Sequence, residues 1–282
     1  MSAVLAQRLA ISTAQRLQYE SRGFLHVKQL LDPATTARVR QAFDRVENTL
    51  IAPVRAKEKR NYYDVTNILD QDRVFCEIAV YPQLLPYLVT AIGDDVQLLQ
   101  ANARVFPYGD TFTAPWHSDM ANTLGIEISQ SLNFHCKVHY FFEDLHPDQG
   151  CLAFLPGTHR RPRDMARPDP SEIDEKQDAV VIVPKAGDVV IFNTHCLHMC
   201  LDNKIQKDRR NLIYAFSHFW VKQFAGGRPS DLTGLPDGTL EQQIFGIGQP
   251  GLEPFDQRPW QIREPSLMER MKRKVARGLL DT

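Results

Sequence analysis

No stretch of this sequence comes near the ~18 consecutive apolar residues that a membrane-spanning helix needs. Charge of one sign is not in excess either: 33 Lys and Arg stand against 34 Asp and Glu, a formal net charge of −1. That balance, with no basic stripe to break it, leaves no field to favour nucleic acid or an anionic membrane. Cysteine is sparse, odd in number and never spaced as CxxC. Residues 76, 136, 151, 196 and 200 therefore read as free thiols of a reducing compartment rather than as a disulfide framework or zinc knuckle. The opening MSAVLAQRLAISTAQRL is apolar only in patches and has arginines inside it, unlike a signal-peptide core. Internal repeats and low-complexity tracts are lacking too. What remains is ordinary: 43% hydrophobic and 24% charged residues over 282 positions, enough to bury a sizeable core. The expectation is a cytoplasmic enzyme or small-molecule binder without nucleic-acid or membrane partners.

Local signals divide the chain. Ser12 with Gln15 three positions on predicts a capped helix to about residue 21, stopped by Gly23. GFLHV then reads as a strand, and Asp32-Pro33 opens a second helix whose apolar residues keep a helical period to about Leu50. Residues 51–75 are mixed and charged, with YYDVTNIL a loop or sheet edge, and a further helix is expected over 83–92. After Gly93 the texture changes to short extended runs between turn residues: 96–106, 133–145, 151–157, 179–184, 188–193 and 211–221. The fold class is mainly β with flanking helices, a barrel or sandwich. One domain is expected over 1–282: a helical third (1–93), a β core (about 94–222), and a C-terminal loop and helix (223–282). Residues 160–178 read as an exposed loop. SLMERMKRKVARGLL, near the end, is a basic amphipathic helix on which a homodimer could pack.

The stretch APWHSDM holds His117 and Asp119 two positions apart, so on an extended segment both side chains leave one face. Two donors do not hold a reactive metal. A third, from a distant strand, would complete the two-histidine, one-carboxylate face that non-haem iron(II) uses with positions left open for reactants. GDVVIFNTHCLHMC offers two candidates, His195 and His198, where a turn and a strand end. In NFHCKVHYFF, His135, Lys137 and His139 alternate with apolar residues, a row that either meets solvent or lines a polar cavity.

Four pieces in order carry a resemblance: YESRGFLHVKQLLDPATTARVRQAF, WHSD at 116–119, DQGCLAFLPGTHR at 148–160, and GDVVIFNTHCLH followed by DRRNLIYAF. With these, spanning about residues 19–217, the chain resembles the phytanoyl-CoA dioxygenase (PhyH) family of Fe(II)- and 2-oxoglutarate-dependent oxygenases. The resemblance implies a double-stranded β-helix (jelly roll, cupin-like). It implies Fe(II) as cofactor with 2-oxoglutarate and O2 as co-substrates. In the family pattern the distal histidine stands ten residues beyond the Gly-Asp turn, which gives His198 rather than His195. The metal set is then His117, Asp119 and His198. An arginine eleven residues further, Arg209, would hold the far carboxylate of 2-oxoglutarate, with Arg210 facing the opposite way.

The family often has a serine two residues after the distal histidine; here it is Cys200, a poor donor. Asn102 or Thr113 would supply that contact, with Arg104 and Tyr108 as rivals. The family's corresponding strand crosses the barrel beside the metal, which turns Lys137 and His139 toward the cavity and an anionic group. Tyr62 and Met120, together with Tyr63 and Phe224, are candidate walls for substrate. His159, in the Pro-Gly turn, reads as structural.

The implied reaction is hydroxylation, or another oxidation, of an unactivated C–H bond of a small organic molecule in specialised metabolism, with 2-oxoglutarate converted to succinate. Halogenation is disfavoured because the carboxylate ligand, Asp119, is present. The rival readings are a protein hydroxylase on the same scaffold and a non-catalytic small-ligand-binding jelly roll. A zinc hydrolase would leave Arg209 without a role.

Overall fold

The computed structural model describes residues 11–109, 116–119, 133–160, 173, 177–224, 226–231 and 240–246. Helix α1 (Thr13–Arg22) begins as the sequence predicts. The Ser12 hydroxyl accepts from the Gln15 amide at 3.2 Å, and the Gln15 side chain accepts from the Ser12 amide in return. That capping box satisfies two donors no helical carbonyl can reach. Gly23 ends the helix at φ 86, where a side chain would be strained; a Cβ there would also lie 2.5 Å from the His159 ring. His159 itself is spent on the Glu20 carbonyl at 3.1 Å, so the Pro-Gly turn is docked on the end of α1.

Helix α2 (Pro33–Val46) is capped by Asp32, which accepts from the Thr35 amide at 2.8 Å, and buries Val39, Ala42, Phe43 and Val46 along one stripe. The chain continues through a π-turn (Glu47–Ile51) into the short α3 (Ala52–Arg55), rather than staying α-helical to Leu50. Helix α4 (Arg73–Ala79), capped by Asp72, departs from the expectation of a mixed segment. Five of its seven residues are buried, so no polar stripe marks it as amphipathic. Helix α5 (Leu85–Ile92) starts two residues later than expected, with Pro86 in its first turn. The last described helix is α6 (Leu240–Ile244). Among the described residues no helix is long and apolar enough to cross a membrane.

Among the described residues nine strands follow in chain order: β1 (Phe24–Val27), β2 (Tyr63–Val65), β3 (Val96–Phe106), β4 (His135–Tyr140), β5 (Leu152–Phe154), β6 (Val180–Ile182), β7 (Val189–Asn193), β8 (His198–Cys200) and β9 (Arg209–His218). Six form one antiparallel sheet, ordered β1-β7-β4-β9-β3-β2; β6-β5-β8 form a second. The fold is a double-stranded β-helix with helices packed on the larger sheet. His198 does not end the same strand as Val189–Asn193, as the sequence suggested. It starts β8, in the other sheet, while His195 stays in the intervening turn.

Period-two alternation gives each central strand two different faces. Cys136, Val138 and Tyr140 of β4 join Leu212, Tyr214 and Phe216 of β9 in one core with α2, α4 and α5. Two hydroxyls bolt that layer: Tyr140 donates to the Ile78 carbonyl at 3.0 Å and Tyr214 to that of Phe75 at 2.8 Å. The alternate residues, His135, Lys137 and His139 on β4 and Arg209, Asn211, Ile213, Ala215 and Ser217 on β9, face the second sheet. In β3 the register slips between Leu98 and Gln100, a bulge at Leu99.

The Gly187-Asp188 turn is a clasp. Gly187 stands at φ 89, and a Cβ there would lie 2.8 Å from the Leu31 carbonyl. Asp188, 2% exposed, accepts from the Gln29 and Lys185 amides at 2.8 and 2.9 Å and meets His26 Nε2 at 2.7 Å. Burial alone would raise its carboxyl, but the His26 contact and the two amides hold it below the ordinary carboxylate range. A depressed folded pKa makes the stabilisation complete above the unfolded value of about 3.9 and lost as pH falls through the folded one. Asp188→Asn is expected to lower the unfolding free energy by roughly 2–3 kcal/mol at neutral pH. In urea titrations the gap from the native protein should close as pH drops through the carboxylate range.

Candidate active site

His117 and His198 are set side by side by their own backbones. Each amide donates to the other's carbonyl, at 3.1 and 3.0 Å, in a single antiparallel bridge outside the main ladders. Directly paired residues of such a bridge project to one side. Their rings lie 4.4 Å apart. Asp119, two residues beyond His117, brings one oxygen to 3.3 Å from His198 Nε2 and the other to 3.9 Å from His117 Nε2. Among the described residues these three form the one His/Cys/Asp/Glu group able to hold a metal, with ligand atoms all within 4.8 Å of one another.

The surroundings prepare each donor. His198 Nδ1 lies 2.9 Å from the Cys196 carbonyl, which accepts only, so Nδ1 carries the proton and Nε2 keeps its lone pair. Burial pushes the His198 imidazole down to about 4, so the ring is neutral at physiological pH. Phe154 stacks on it at 5.8 Å and Phe192 packs at 4.7 Å, fixing its plane. Burial would raise the Asp119 carboxyl, yet Lys137, His198 and His117 together hold it well below the usual range, and it stays ionised. Two imidazoles, that of His198 with its tautomer fixed, and one carboxylate fit a divalent first-row metal.

Lys137 donates to Asp119 Oδ1 at 2.6 Å. The row on β4 therefore lines the interior, and the anion beside Lys137 is the cluster's own carboxylate. His139 is buried, with Nδ1 3.3 Å from Asn211 Nδ2 and its ring edge-on to Phe192; burial pushes its imidazole well down.

Arg209 and Arg210 separate by strand parity. Arg210 turns to the helices and bonds Asp44 at 2.7 Å, Glu47 at 2.8 Å and Glu143. Arg209, 1% exposed, turns inward. Its Nη1 bonds the Gly150 carbonyl and its guanidinium lies 3.8 Å from the Phe106 ring centroid, while Nε and Nη2 have no partner among the described residues. Buried unpaired donors on a permanent cation are costly, and a carboxylate is the group that would satisfy both at once.

The remaining candidates fall in different places. Asn102 is buried with its Oδ1 unpartnered among the described residues. Arg104 is engaged by Asp64 through both ends of its guanidinium, and Tyr62, 39% exposed, stacks over it at 4.3 Å. Cys200 is buried in the layer between the sheets. Tyr108 is half exposed, its amide held by Asp208. Tyr63 faces the helical core and donates to the Glu58 carbonyl, so it is no wall of this interior. Phe224 packs near the bulge, its amide bonding the Leu99 carbonyl at 3.0 Å. Thr113 and Met120 lie outside the described residues, as do the 266–280 helix and most of the 160–178 loop. Sequence reasoning missed Phe106, Gly150, Gln97 and Ser217. The first two surround a guanidinium that spacing alone locates, Gln97 depends on the bulge, and Ser217 faces inward by sharing the parity of Arg209.

The family model for phytanoyl-CoA dioxygenase (PhyH) matches residues 19–211. The chain belongs to the phytanoyl-CoA dioxygenase family. It is thereby an Fe(II)/2-oxoglutarate-dependent dioxygenase by family. Human peroxisomal phytanoyl-CoA dioxygenase is 22% identical, over 84% of this chain and 75% of its own length. Among solved structures, HygX from Streptomyces hygroscopicus with nickel and 2-oxoglutarate bound superposes at TM-score 0.61, 15% identical, over 83% of this chain and 99% of that one. The epimerase SnoN, in complex with Fe3+, alpha ketoglutarate and nogalamycin RO, gives 0.58 at 16% identity, over 79% and 91%. At these identities the structural matches speak for the family's fold.

Proposed function

We propose that His117, Asp119 and His198 hold Fe(II), that Arg209 binds the distal carboxylate of 2-oxoglutarate, and that the protein oxidises a C–H bond of a small organic molecule in specialised metabolism. The observation that carries the reading is the inward Arg209, with two donors unpaired among the described residues, in the same interior as a His-Asp-His cluster. A non-catalytic binder has no need of that combination. Nickel with 2-oxoglutarate in HygX, and Fe3+, alpha ketoglutarate and nogalamycin RO in SnoN, support the same cofactors and a small-molecule substrate.

The metal, when bound, supplies the oxidising power drawn from O2 and 2-oxoglutarate. This chain's residues do the rest. Asp119 and the two imidazoles would hold the ion. Arg209 holds one end of the co-substrate with a planar, permanently charged fork, and Asn102 offers a further polar contact. Lys137 engages Asp119 Oδ1, which leaves Oδ2 as the oxygen nearer His198. Phe154, Phe192 and Phe106 keep the interior dry, so each of these charges acts in a low-dielectric setting.

Anaerobic addition of Fe(II) and 2-oxoglutarate together should produce a weak visible charge-transfer band that neither gives alone. With O2 admitted, succinate should form at a basal rate. A full chain that binds neither, by spectrum or by thermal shift, would end the reading in favour of a metal-free binder.

A further inference from the structure

We propose a second polar subsite in the same interior, formed by Gln97, Ser217 and His135, that receives a neutral hydroxyl group of the substrate and so selects which C–H bond is presented. The inference deepens the reading of the metal cluster and rests on it for the word substrate.

These three residues stand in one row across three neighbouring strands. Gln97 of β3 is the direct partner of Ser217 on β9, and Ser217 is the direct partner of His135 on β4. The bulge at Leu99 makes the row possible. Were β3 regular through Leu99, Gln97 would share the parity of Ala101 and Ala103 and face the helices. All three are enclosed, at 0%, 0% and 3% exposure. Each nevertheless leaves one polar atom without a partner among the described residues: Gln97 Oε1, Ser217 Oγ and His135 Nε2. Buried polar atoms are ordinarily satisfied, and three left open side by side at one register are what a polar group of a ligand would satisfy.

The hydrogen bonds around the row decide what it can take. Gln97 Nε2 donates to the carbonyls of His218, Phe219 and Val221, at 3.3, 2.9 and 2.5 Å, which turns Oε1 the other way as an acceptor. His135 Nδ1 meets Thr194 Oγ1 at 2.7 Å, and that hydroxyl has its proton on the His135 carbonyl at 3.2 Å. Nδ1 must therefore be the donor, which makes Nε2 a second acceptor. Between them Ser217 can give or take one bond. Two acceptors flanking a hydroxyl suit a ligand O–H that donates and accepts. A carboxylate meets two lone pairs, and an ammonium meets Lys137 one pleat away on β4.

The row also lies on the correct side. Along β4 and β9 the order is Ser217 and His135, then Lys137 with its bond to Asp119, then His139 and Asn211, then Arg209. Co-substrate anchored at Arg209 thus occupies one side of the cluster and the row the other. Ile213 and Ala215, buried but outside the packed core clusters, line the floor between.

The test uses the full chain, 15N-labelled at histidine, with cyclohexanol as probe and its methyl ether as matched control. The His135 Nε2 resonance is expected to move saturably with the alcohol and not with the ether. Ser217→Ala should weaken that response about tenfold, and Ser217→Thr, which keeps the hydroxyl, should restore it. An equal response to alcohol and ether in the native chain overturns the subsite, and so does a Ser217→Ala protein that titrates like wild type. Should Ser217→Ala fail to fold, the native alcohol-ether comparison decides alone. The Fe(II)–2-oxoglutarate band is recorded on the same preparation. Band without probe response removes the subsite and leaves the oxygenase. Probe response without band removes the metal assignment and leaves the pocket.

Discussion

Arg209→Met is expected to cost most of the affinity for 2-oxoglutarate while leaving the fold nearly as stable as before. Truncating one partner of a buried, hydrogen-bonded charge pair costs roughly 2–5 kcal/mol, about 30-fold to a few thousandfold in Kd. Stability should behave differently, because free Arg209 is a liability. The variant loses the Gly150 bond and the stacking on Phe106, and is relieved of a buried cation with two donors unpaired among the described residues. Arg210→Met is the mirror case. It breaks contacts with Asp44, Glu47 and Glu143 on the helical side and should lower the urea midpoint with 2-oxoglutarate binding unchanged. Anaerobic calorimetric titration of both variants in the presence of Fe(II) separates the roles. The opposite pattern, with affinity lost only in Arg210→Met, would exchange the two residues and undo the co-substrate assignment.

Asp119→Ala should remove metal binding and turnover together. Loss of an outer-shell partner typically costs ~10–100-fold in metal affinity, and loss of the sole anionic ligand must exceed that. A second effect follows from Lys137, whose ammonium would be left against two imidazoles with no counter-charge. The single variant is therefore expected to unfold at lower denaturant than wild type, and Asp119→Ala/Lys137→Met to recover part of that loss without recovering the metal. Fe(II) binding by equilibrium dialysis and urea melts on the three proteins give both answers. An unchanged charge-transfer band in Asp119→Ala would show that the ligand set is wrong.

Much of this is legible in the sequence. Ser12 with Gln15, and Asp32 before Pro33, announce helix starts through side-chain chemistry that acts within four residues. The strand over 96–106 is bounded by turn residues at both ends. His117 and Asp119 are legible as a pair because extended backbone projects alternate residues together, and strand parity alone separates Arg209 from Arg210. What escaped depends on long-range context. Helix α4 is buried on too many sides to keep a polar stripe, and β8 is only three residues long, so it merged with the strand before it. The alternation of His135, Lys137 and His139 is visible in the sequence, but the counter-charge of Lys137, Asp119, reaches it only through folding. The Leu99 bulge is the sharpest case. One inserted residue inverts the facing of everything before it, and no local propensity marks the position.

Strands β4 and β9 carry a division of labour between odd and even positions. Positions 212, 214 and 216, with 136, 138 and 140, grip the helices through aromatic packing and two tyrosine hydroxyls. Their neighbours at 213, 215 and 217, with 135, 137 and 139, look into the chamber. Descent with modification can therefore redraw the chamber one side chain at a time while the opposite rank keeps the scaffold anchored, and a mutational library confined to the inward rank would explore chemistry against a constant helical interface.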